Sequence, residues 1–273
     1  MPPRSRRDEL ATDAALLGAQ VAVIAERLAP LAASPDADQR FGAPSVLPGW
    51  DLRVLLAHLV LVVGGMIRWL DRPSGASALS ALEYAARYRA SADDITALTV
   101  QTAARDDPAA LLHRLTEAAA QARDALRGRD AATVIDAARG PIRTGDWVAT
   151  RLLDVVVHTD DLARSLQTDG PSQHAAVPFA PGALRRCARL LVSMIAEKAP
   201  GHTVELRVPP AAAAQIVAGP RHTRGTPPNV VETDPLTWVR LATGRVEFAD
   251  ARARGDLRAS GARSDLTDLL PLF

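Results

Sequence analysis

The chain has 273 residues, enough for one large or two ordinary domains, with 48% hydrophobic and 23% charged residues as in soluble globular proteins. Its formal net charge is +1, which excludes a global field directed at nucleic acid or an anionic membrane. All the basic residues except Lys198 are arginine, and the one cysteine, Cys187, excludes an intramolecular disulfide and suits a reducing cytosol.

Taken in chain order, "MPPRSRRDEL" carries basic residues with no apolar stretch behind them, so no signal peptide is expected. No uninterrupted apolar run approaches the ~20 residues needed to cross a bilayer, and a cytoplasmic protein without membrane insertion is the expectation. Leu10, Leu17, Val21, Ile24, Leu28 and Leu31 step by sevens, fours and threes, which predicts a first amphipathic helix over roughly 8–33. A loop ending in "LPGW" follows, and Asp51 is a good N-cap for a second helix running to about Leu70. "ALSALEYAARYRASADDITALTVQTAA" predicts a third helix, broken near Ser91. Asp107 with Pro108 at N1 opens a fourth. A loop carrying Gly140-Pro141 leads to a fifth at about 146–167. Five helices with no strand among them predict a helical bundle.

The character then changes. "TDGPSQHAAVPFAPG" predicts a linker over 169–180, and Pro181 opens another helix. "TVELRVP", "PNVVET" and "DLRASG" read as strands, "DPLTWVRLATGR" as a short capped helix, and "SDLTDLLPLF" as a terminal helix. The expected architecture is therefore a two-domain chain, with a helical bundle over 8–168 and a small α+β domain over 181–273. Cys187 lies at helical spacing in "ALRRCARLLVSM" and reads as a small core residue. No basic recognition helix is evident, so no nucleic-acid partner is expected. No glycine-rich phosphate loop, GxSxG elbow or CxxC occurs either.

"LLDVVVHTDDLARSL" raises the functional question. Trp147, Arg151, Asp154, His158, Asp161 and Ser165 fall on one face of a helix whose other residues are too apolar to be solvated. The column is either the wet face of an amphipathic helix or a functional stripe. On the second helix, His58 lies within the inner face defined by Leu55, Leu59, Val62 and Met66. A buried imidazole needs partners for both ring nitrogens, and "LLAHLVLV" offers none locally. His58, Asp154 and His158 together would supply three ligands and leave positions open for water or substrate. That set suits a catalytic zinc site, and non-haem iron equally.

"LPGWDLRVLLAHLV" is similar to the segment opening the metal-binding helix of the mycothiol-dependent maleylpyruvate isomerase family, a DinB-like group of up-down four-helix bundles. "TRLLDVVVHTDDLARSL" is similar to that family's second metal segment, in which a glutamate and a histidine sit four residues apart. The resemblance puts the two histidine ligands on His58 and His158 and the carboxylate on Asp154, one methylene shorter than glutamate and about 1.5 Å less in reach. It implies a divalent metal, zinc, with mycothiol as cosubstrate, and isomerisation of, or thiol transfer to, a small electrophilic substrate. Asp161 would orient a ligand histidine, and Arg151 would neutralise or orient a carboxylate.

"GPRHTRGTPPNVVETDPLTWVRLATGRVEF" and "GDLRASGARSDLTDLLPLF" resemble the bacterial sterol-carrier-protein-like domain fused to such bundles in actinobacteria. That resemblance implies an apolar cavity, lined by Ile216, Val217, Trp238, Val239, Leu241, Phe248 and Leu257, unless these form an ordinary small core. A non-catalytic carrier of a lipid or other apolar ligand is the competing reading. Arg221, His222, Arg224, Asn229 and Glu232 crowd a polar loop that would either clamp a carboxylate or phosphate on a ligand or make an inter-domain contact.

Overall fold

The computed structural model describes residues 6–166, 177–219 and 228–273. It divides into two compact units, one of residues 1–80 and 88–183, the other of residues 81–87 and 184–273.

In the first unit, α1 (Arg6–Ala32) buries Leu10, Leu17, Val21, Ile24 and Leu28 of the predicted stripe, while Leu31 near its end is only partly buried. A short α2 (Ala37–Phe41) leads into the loop before α3 (Leu52–Gly64). Asp51 caps α3, its Oδ1 accepting from the Val54 N–H at 2.7 Å. The second helix ends earlier than its apolar run suggests: the chain breaks at Gly64-Gly65 and resumes as α4 (Met66–Leu70). The third predicted helix is split, with α5 (Ala81–Ala86) grouped in the second unit, a 3-10 turn over Arg87–Ser91, and α6 (Ala92–Ala103). α7 (Pro108–Leu126) starts where Asp107 Oδ1 accepts from the Ala110 N–H at 2.8 Å. α8 (Thr144–Leu166) completes the bundle. α1 packs on α7 and α8, and α3 packs on α6, α7 and α8.

The expectation of a strand-free first unit is wrong. β1 (Val134–Ala137) and β2 (Gly140–Arg143) form an antiparallel hairpin immediately before α8. Pro141 at the tip hid it: proline donates no ladder bond, yet it sits here opposite Asp136 in an edge strand, where that loss is tolerated. The hairpin is held from both sides, through the Ser74 N–H to the Val134 carbonyl and the Leu79 N–H to the Pro141 carbonyl.

Two helical stretches, Glu9–Ala32 and Leu52–Leu70, are long and on average apolar enough to cross a bilayer by length and composition, although charged residues interrupt the first. The core helix of a soluble protein meets the same criterion, and 61% of the most apolar 18-residue window within Leu52–Leu70 is buried in the protein.

The second unit holds α9 (Ala183–Lys198), then β3 (Pro200–Val208), β4 (Ala212–Ile216), β5 (Val230–Thr233), α10 (Pro235–Ala242), α11 (Phe248–Arg254) and β6 (Leu257–Ser260). The sheet order is β4-β3-β5-β6, with β3 and β5 parallel and the other pairs antiparallel. Val204, Leu206 and Val208 alternate inward on β3 and are fully buried. β4 was not expected, because "AAAAQI" has the composition of a helix; pairing with β3 overrides that propensity. The expected terminal helix is only a 3-10 turn, Thr267–Leu269, started by Asp265 Oδ1 accepting from Thr267 and ended before Pro271. Of the seven cavity candidates, all but Val217 are buried to 4% exposure or less. Cys187 is buried, as a core residue should be.

Candidate functional site

The polar column of α8 is not a wet face. Trp147, Asp161 and Ser165 are buried, and Arg151 and His158 each keep only 12% of their side-chain surface exposed. Val155, Val156 and Leu162 are fully buried as well, so α8 is enclosed on nearly all sides. Apart from Asp154, which keeps about a third of its side chain exposed, the polar groups must therefore find their partners inside the protein.

His58 is one of them. The α3–α8 packing brings its ring edge-on to that of His158, with centroids 4.8 Å apart and planes at 83°. Trp50, the last residue of the "LPGW" loop, lies tilted against the His58 ring, with centroids 5.1 Å apart. That loop is closed by the Ser45 N–H to the Trp50 carbonyl and the Trp50 N–H to the Leu47 carbonyl. It is tied to α8 through the Val46 N–H, which donates to Ser165 Oγ at 2.9 Å. His58 is 5% exposed, and its Nδ1 has no hydrogen-bond partner among the described residues. Burying such a nitrogen unpartnered costs about 1–3 kcal/mol, so its persistence in the core calls for an explanation. Burial, then the neighbouring His158, push the His58 imidazole down to about 3, only partly opposed by Asp154 and reinforced by Arg151 and Arg139. At neutral pH this ring is uncharged and keeps a lone pair.

His158 is oriented by its own helix. Its Nδ1 lies 3.0 Å from Asp161 Oδ2, and with Nδ1 engaged there Nε2 is the ring nitrogen left for another partner. Asp161 has no exposed surface. Arg164 stands 3.9 Å from its other oxygen. Asp154, with about a third of its side chain exposed, is paired with Arg151, whose guanidinium nitrogen lies 3.0 Å from Oδ2. Burial alone would raise the Asp154 carboxyl, but Arg151, Arg139 and the two imidazoles outweigh it and hold it below the usual carboxylate range.

These residues fit a divalent cation in composition: two imidazoles, the His58 ring held neutral by burial, a carboxylate held below its usual range, and an orphaned ring nitrogen within the cluster. They are not closed around one. Among the described residues no three His, Cys, Asp or Glu side chains are grouped so as to hold a metal ion.

Two further residues act on the cluster that the sequence does not single out. In the sequence Trp50 reads as the end of the "LPGW" loop. Arg139 belongs to the hairpin tip, where its guanidinium lies 5.7 Å from the Tyr88 ring, and nothing in the sequence signals its nearness without the β1–β2 pairing. Of the loop candidates in the second unit, Arg221, His222 and Arg224 lie outside the described residues. Asn229 is buried, its Nδ2 donating to the Thr203 carbonyl and its Oδ1 accepting from the Arg263 N–H. Glu232 faces Arg207 at 3.8 Å.

A helical unit with an inward imidazole–carboxylate cluster, joined to a small α+β unit, defines a class with known members. Residues 21–163 match the family described as "Mycothiol maleylpyruvate isomerase N-terminal domain", and the chain belongs to that family. Residues 182–272 match the family described as "Bacterial SCP ortholog". Among solved structures, the chain is similar to the mycothiol-dependent maleylpyruvate isomerase, at 17% identity and TM-score 0.55. It is similar also to a histidine-to-alanine mutant of that isomerase, at 16% and 0.54. In both cases 95% of this chain and 94% of the other are covered, so the likeness of fold extends through both units. No curated protein matches the chain.

Proposed function

We propose that this chain is a metal-dependent and thiol-dependent enzyme, which isomerises a small electrophilic substrate or transfers a thiol to it. His58, His158 and Asp154 would hold the ion, zinc in this reading, and mycothiol would be the cosubstrate, as the name of the similar isomerase suggests. The observation that carries the reading is the unpartnered, buried Nδ1 of His58 beside the ring of His158.

When bound, a divalent ion supplies Lewis acidity that lowers the pKa of a thiol or water. The protein's own residues set the conditions for it. Asp161 engages Nδ1 of His158 and so leaves Nε2 as the nitrogen that would ligate the ion. Burial keeps His58 neutral, and the Trp50 ring packs against it. Arg139 and Arg151 add positive field that favours an anionic reactant at the same place. The chain's one cysteine is buried in the second unit, which favours a nucleophilic sulfur brought from outside. We place the protein in the cytoplasm, where such a thiol would be available and reduced.

Metal analysis tests this. After incubation with excess zinc and desalting, the wild-type protein should retain one zinc per chain and His58→Ala much less than one. Equal retention, or none by either protein, refutes the reading.

A further inference from the structure

We propose that Arg151 is a built-in competitor for the cation at this site, occupying the Asp154 carboxylate whenever no metal is bound. The inference rests on the metal reading above and concerns how tightly this particular chain holds its ion.

Arg151 and Asp154 sit three residues apart on α8, with a guanidinium nitrogen 3.0 Å from Oδ2. The arginine side chain is 12% exposed, so water screens its charge poorly. Its Nε is buried with no hydrogen-bond partner among the described residues, although one of its terminal nitrogens also reaches Thr150 Oγ1 at 3.5 Å. The guanidinium is thus held near Asp154 chiefly by charge, and it leaves a donor unsatisfied in doing so. A guanidinium does not lose its proton in proteins, so an arriving cation cannot neutralise it. The ion must either displace Arg151 from the carboxylate or bind beside a fixed positive charge. Both routes weaken binding. Aspartate sharpens the competition, because its short side chain has little room to serve a guanidinium and an ion together.

The test compares zinc affinity of the intact chain with Arg151→Met and Arg151→Gln, by competition against a chromophoric chelator. Circular dichroism establishes that each variant remains helical. Methionine keeps much of the aliphatic bulk, and glutamine keeps a donor for Asp154 without its charge. Both folded variants should bind zinc at least tenfold more tightly than wild type, a gain of about 1.4 kcal/mol. If wild type binds zinc and either folded variant binds it equally or more weakly, Arg151 is not a competitor, while the metal reading stands. If neither wild type nor variants bind zinc at millimolar concentration, the inference falls together with the metal reading.

Discussion

Acidification of the metal-free protein gives a sharp test of the His58 environment. The folded-state value of about 3 lies well below the ordinary 6.5, so between these limits the unfolded chain binds a proton that the folded chain refuses. Stability contributed by this site is therefore present above pH 6.5 and is lost as pH falls toward 3. At pH 5 the unfolded imidazole is almost fully protonated and the folded one almost fully neutral. The linkage amounts to RT times the logarithm of about 32, or about 2 kcal/mol, against almost nothing at pH 7.5. That is a shift of roughly 4–8 °C in the melting temperature of a unit this size. The assay is thermal unfolding with a chelator present, at pH 7.5 and pH 5, for wild type and His58→Leu. Other titrating groups contribute to both proteins, so the quantity of interest is the difference between the two pH-induced shifts. Wild type should lose about 2 kcal/mol more than the leucine variant on acidification. Parallel losses, within about 0.5 kcal/mol, would show that His58 is solvated or partnered and that the site is not as described.

Asp161→Asn exchanges an acceptor-only carboxylate for an amide that can present its NH2 group to His158; zinc affinity should fall by about 10- to 100-fold with little change in helix content, measured by chelator competition and circular dichroism. Asp154→Asn removes the one carboxylate of the proposed donor set, and zinc affinity should drop at least tenfold on the order expected for a lost charged ligand. In the second unit, a Cβ at Gly201 would collide with the Val217 carbonyl. Gly201→Ala should accordingly destabilise that unit by about 1–3 kcal/mol, read by denaturant unfolding, while leaving zinc uptake unchanged.

Legibility in the sequence varied with the range of the interaction. Helices α1, α7 and α8 were readable because stripe and cap are local: Leu10 through Leu28 announce one, Asp107-Pro108 another. The inward column of α8 was readable too, since its spacing is a property of one helix. Its burial was not, because only the packing of α3 against α8 decides whether Asp154 and His158 meet water or His58. The hairpin at Val134–Arg143 and the alanine-rich β4 were missed for the same reason: each depends on a partner strand that overrides weak or contrary local preference. Arg139 follows from that first omission. Trp50 could have been found, since it directly precedes the cap residue of the helix that carries His58.

The central claim is that imidazoles from two helices and the Asp154 carboxylate share one cation. An anomalous difference map at the zinc edge, from crystals of the zinc-incubated protein, tests it most directly. The account predicts a single strong peak about 2 Å from a nitrogen of His58, Nε2 of His158 and a carboxylate oxygen of Asp154. A peak elsewhere, or none above noise with His58 Nδ1 still unpartnered, would contradict it.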